Sequence, residues 1–180
     1  MNKIPHRLVA LALLACIGWS GAARAEPGRY PPTYFQAGIG WSEVKTDVDT
    51  NRQQALDWMV GYRFNEYVGV QAVGFNLNST WHQPIPPNGA TLYDFSSYAG
   101  GQVVGFIPCT PYWDIVGELG AGQVHQTSAT PGAPALNKTE GIVGTGVRWQ
   151  IVDHVAVSLG FSYLWDLKVM HTGLRAEVNF

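Results

Sequence analysis

The chain has 180 residues, and its 11 Lys+Arg against 13 Asp+Glu offer no basic surface for nucleic acid or an anionic membrane face. Only 13% of residues are charged, about half the ~25% of a soluble domain, while 46% are hydrophobic and 21 are glycines. Beyond the leader no segment approaches the ~20 apolar residues of a spanning helix. One cysteine, Cys109, remains there, so no intramolecular disulfide can close the fold.

Residues 1–25 read as a secretory signal: Lys3, His6 and Arg7 supply a basic start, residues 8–17 an apolar run, and Ala23-Arg24-Ala25 a small-x-small cleavage site. Residues 13–16, ending in Cys16, loosely match a lipoprotein cleavage box, but apolar character continues past it and Leu14 is large. The expected mature domain is 26–180.

Eight segments of alternating polarity follow. The first, 34–43, sets Phe35, Ala37, Ile39 and Trp41 against Gln36, Gly38, Gly40 and Ser42. The second, 54–64, sets Leu56, Trp58, Val60, Tyr62 and Phe64 against Asp57, Gly61 and Arg63. Asn65-Glu66 turns into the third, 67–77, whose phase blurs at Gly74-Phe75, where a bulge is expected. The fourth, 92–107, is irregular and its facing is not fixed by the sequence. Pro108-Cys109-Thr110-Pro111 ends it, since proline removes a ladder donor.

The fifth segment, 112–124, sets Trp113, Ile115, Leu119 and Ala121 against Asp114, Glu118, Gly120 and Gly122. The sixth, 137–151, sets Val143, Thr145, Val147, Trp149 and Ile151 against Glu140, Gly144, Gly146, Arg148 and Gln150. The seventh starts at Val155 and sets Val157, Leu159, Phe161, Tyr163 and Trp165 against Ser158, Gly160, Ser162 and Asp166. The eighth, about 170–180, sets Leu174, Ala176, Val178 and Phe180 against Gly173, Arg175, Glu177 and Asn179.

Connections after the second, fourth and sixth segments are short. Those at 44–53, 78–91 and 125–136 are longer and polar, and the one near 166–168 is the shortest of that set. Segments of about ten residues, with short turns on one side and longer loops on the other, fit an eight-stranded antiparallel transmembrane barrel of the outer membrane. Trp41, Trp58, Trp113, Trp149 and Trp165 are expected in an aromatic belt at the headgroups. A soluble β-sandwich is the competing fold; it would carry a Lys/Glu-rich exterior instead of glycine, serine and a few charges.

Residues 61–70 (GYRFNEYVGV), 141–149 and 173–180 resemble the OmpA-like transmembrane β-barrel superfamily. The resemblance covers nearly all of the expected mature chain and carries no catalytic signature. It implies a small eight-stranded barrel in the outer membrane of a Gram-negative bacterium. The peptidoglycan-binding domain that many members carry after the barrel is not expected here.

An eight-stranded barrel leaves an interior that side chains fill. Asp57, Arg63, Glu118, Glu140, Arg148, Arg175 and Glu177 should then meet as ion pairs, because an unpaired charge there is costly. Such a network either fills and specifies the barrel or gates a narrow ion path. His82, His125 and His171 fall in or beside outer loops; with Ser128 and Glu140 they sketch a lipid hydrolase, although the His-x-Ser pattern of outer-membrane lipid deacylases is absent. The histidines lack metal-ligand spacing, and no cofactor is expected. The Gly-x-Gly pairs lie inside strands and are no phosphate cradles. Trp81 and His82, in a proline-stiffened loop, and His125 are candidate binding residues for an outside ligand. Expected partners are lipopolysaccharide and phospholipid on the apolar wall, and the assembly machinery, for which a terminal strand ending in Phe180 is the address. A structural or surface-interaction role without enzymatic activity is the leading expectation; a narrow pore and a lipid-modifying hydrolase are the alternatives.

Overall fold

The computed structural model describes residues 31–45, 50–77, 93–128 and 134–180. The expected signal segment, residues 1–25, and Trp81 and His82 lie outside them. Eight strands are formed: β1 Thr33–Lys45, β2 Thr50–Arg63, β3 Val68–Leu77, β4 Tyr93–Pro108, β5 Trp113–Ser128, β6 Leu136–Val152, β7 Val155–Leu164 and β8 Val169–Asn179. Each pairs antiparallel with its neighbours in sequence, and β1 pairs with β8 from Tyr34↔Asn179 to Val44↔Val169, which closes the barrel and removes every sheet edge.

The alternation of polarity sorts the two faces in the sense opposite to a water-soluble sheet. Ile39, Leu56 and Leu174 are 53%, 66% and 45% exposed on the outer wall, while Gln36, Asp57, Arg148 and Glu177 are at most 6% exposed inside. Apolar outside and ionic inside is a stable division only where hydrocarbon bathes the wall.

At one end three tight turns join β2–β3, β4–β5 and β6–β7. The Asn65 carboxamide oxygen accepts from the backbone N–H groups of Tyr67 and Val68 (2.8 and 2.9 Å), and the Thr110 hydroxyl accepts from those of Tyr112 and Trp113 (3.2 and 3.1 Å). We call this the turn end and the opposite one the loop end. Trp113 and Trp149, cross-strand partners, stack 5.4 Å apart at 3° on the outer wall of the turn end. Trp41 and Trp165 stand outside near the loop end. Trp58 departs from the belt expectation: it faces outward but lies five residues inside the end of β2, against Gly74 of β3, where a Cβ would meet its indole. It fills space that glycine leaves on the wall.

Two segments read differently in space. β3 keeps an unbroken register with both neighbours, so the bulge expected at Gly74-Phe75 is absent; the irregularities fall instead between Phe95 and Ser97 in β4 and between Gln150 and Val152 in β6. The pattern blurs in β3 because Val73 and Phe75 point into an apolar part of the interior. β4 has the same cause and a definite facing: Tyr98, Gln102, Val104 and Phe106 are buried inward, and Val103 is exposed outward. β5 also runs past its expected end to Ser128, pairing with β6 as far as Gln126 and with β4 as far as Ser128.

Candidate functional site

The interior is layered along the barrel axis. At the turn end Glu177 is fully buried and gathers three partners: Arg148 donates from Nε (2.8 Å) and Nη2 (2.6 Å), Gln36 donates from Nε2 (2.7 Å), and Arg63 lies 3.5 Å away. Arg148 also donates to Asp114 at 2.9 Å and to the Gln150 carboxamide oxygen at 2.6 Å. Arg63 sits over the Phe106 ring, 4.0 Å from its centroid, beside Tyr34. Cation and ring share that layer through the quadrupole of the aromatic face.

Toward the middle, Tyr34 donates to Gln71 (2.8 Å), and Gln71 donates to Gln102 (2.6 Å) and Glu118 (3.3 Å). A cavity of about 10 Å³ remains beside Glu118, Arg148 and Arg175, which is roughly the space of one water. On the opposite side Arg175 donates to Asp57 at 3.1 Å. Asp57 also accepts from His171 Nε2 at 3.0 Å, and His171 Nδ1 meets the Ser42 hydroxyl at 2.9 Å. An ionised carboxylate only accepts, so Nε2 carries the proton and, in the neutral ring, Nδ1 accepts from Ser42.

Above that layer the lining turns apolar. The His171 ring stacks on Phe75 (4.5 Å, 7°) and Phe75 on Tyr98 (5.0 Å, 20°). Met59, Val124, Ile142, Leu164 and Val169 complete this plug across the loop end. Inward glycines make room for rings in both layers: a Cβ at Gly40 would stand 2.5 Å from the His171 ring, and one at Gly61 would meet the ring of Tyr34. Gly40 and Gly61 are thus floors on which large interior side chains lie.

The seven charged residues read from sequence all face inward, but they do not form one group. Arg63, Arg148 and Glu177 meet at the turn end, and Asp57 with Arg175 in the middle. Glu118 is half-buried and takes the Gln71 amide in place of an arginine. Glu140 is at the loop end, 3.0 Å from Lys138, and accepts from the Asp166 backbone N–H. Several members are not marked as such by the sequence. Asp114 sat unassigned on the polar face of its strand. The glutamines carry no charge to mark them. His171 looked like a loop residue but is buried inside β8.

Of the hydrolase sketch, His82 and the Ser128 side chain lie outside the described residues, and His125 and Glu140 do not come together. His125 lies on the outer face, bonded to Asn137 at 2.8 Å, whereas Glu140 points inside. Ser42, His171 and Asp57 do follow the serine–histidine–aspartate order of a hydrolase. Both Ser42 and His171 are 0% exposed, however, and Phe75 covers the imidazole, so the hydroxyl is closed to a substrate carbonyl. The chain is a structural hydrogen-bond relay.

A closed eight-stranded wall, apolar outside and ion-paired inside, is the frame in which the similarities to known proteins fall. The family model described as outer membrane protein beta-barrel domain matches residues 9–179. The chain belongs to this family. It is a protein of the Gram-negative outer membrane. No curated protein matches it in sequence. Among solved structures, Ail, the attachment invasion locus protein of Yersinia pestis, is similar at 20% identity and a TM-score of 0.64, covering 84% of this chain and 99% of that one. Neisserial surface protein A is similar at 16% and 0.60, covering 82% and 97%. The N-terminal barrel of Pseudomonas aeruginosa OprF is similar at 12% and 0.59, covering 84% and 99%. These likenesses are of fold. Ail has also been solved with the heparin analogue sucrose octasulfate.

Proposed function

We propose that this barrel is a surface-interaction protein, a rigid base that holds its outer loops against a partner outside the cell. The filled interior is the observation that supports this most. Among the described residues, ion pairs occupy the turn end and middle, the His171–Phe75–Tyr98 stack lies toward the loop end, and the cavity beside Glu118 is about 10 Å³. With the lumen occupied, the loops are the surface left for function. No described feature favours the narrow pore or the hydrolase.

The loop composition narrows the partner. The connections 78–91 and 125–136 contain no lysine or arginine; Lys45 and Arg52 in the first connection stand among Glu43, Asp47 and Asp49, and Lys168 in the fourth is beside Asp166. A polyanion of the kind Ail holds finds few cations there. Trp81 and His82, followed by Pro84, Pro86 and Pro87, suit an uncharged partner met by an aromatic anchor on a stiffened loop. The test is adhesion of a Gram-negative host displaying the full chain, the Trp81→Ala/His82→Ala variant or no insert. Epithelial monolayers and immobilised heparin serve as the two surfaces. The full chain should raise adhesion to cells, the variant should return it to background, and heparin should retain none of the three. Adhesion equal with and without the chain refutes the proposal, and heparin capture by the full chain refutes the uncharged partner.

A further inference from the structure

No further inference is drawn: the strongest candidate, the edge of β6 from Leu136 to Gly141 that rises past the end of β7 at Leu164, offers the same backbone groups to any extended chain, and nothing in the structure shows what covers it.

Discussion

Glu177→Ala probes the interior where its interactions are densest. The carboxylate is 0% exposed; its Oε1 takes two hydrogen bonds from Arg148, its Oε2 takes one from Gln36, and Arg63 stands 3.5 Å away. Removing it leaves Arg148 to Asp114 and Gln150 and strips Arg63 of this partner, with both arginines at most 3% exposed. Loss of one partner from a buried ion pair costs about 3–5 kcal/mol, because the remaining charge stays desolvated. We take about 4 kcal/mol, since Asp114 retains part of the Arg148 interaction. Reversible urea unfolding in phospholipid vesicles, followed by tryptophan fluorescence and heat-modifiable gel mobility, measures it. A double-mutant cycle with Arg148→Met separates the pair from general packing: the double variant should be at least about 2 kcal/mol better than the sum of the singles. A loss below about 1 kcal/mol for Glu177→Ala, or strict additivity in the cycle, would show the network contributes little and refute the reasoning.

Three further outcomes follow from the same interior. Glu118→Ala should cost no more than about 1 kcal/mol, since it loses one 3.3 Å bond at a half-buried site, and planar-bilayer recordings should show no steady current before or after; a current that changes on substitution would reinstate a charge gate. Gly61→Ala places a methyl against the Tyr34 ring and should lower stability by about 1–3 kcal/mol in the same urea assay; a neutral result would mean the ring is not held there. Lys168→Gly in the β7–β8 turn should raise stability by about 0.5–1 kcal/mol, because Lys168 holds φ at 54°, where a Cβ is strained; a destabilised variant would contradict this.

The parts of the fold visible in sequence are those where the two faces differ chemically. In β8, Leu174, Ala176 and Val178 face lipid while Arg175 and Glu177 face the lumen, so a period of two is plain over its whole length. In β3 and β4 the contrast disappears near the loop end, because the inward Val73, Phe75 and Tyr98 are as apolar as the outward wall. An apolar layer inside the barrel therefore erases the signal that reveals its strands. The charged residues of the interior could be picked out by type and facing. Their partners could not, since pairing depends on height in the barrel and on closure: Gln36 reaches Glu177 across 141 residues of sequence only because β1 lies beside β8. His171 was hidden by its neighbours, as it lies two residues into β8 after a tight hairpin.

The account stands on the outer wall meeting hydrocarbon. A nitroxide carried in turn at Met170, Thr172, Leu174, Ala176 and Val178 of the vesicle-inserted protein reports this by electron paramagnetic resonance, through collisions with oxygen and with a water-soluble nickel chelate. The three central positions should collide strongly with oxygen and hardly with nickel, with nickel access rising only toward the two ends of the strand. Nickel access throughout would place this wall in water and contradict the barrel's position in the membrane.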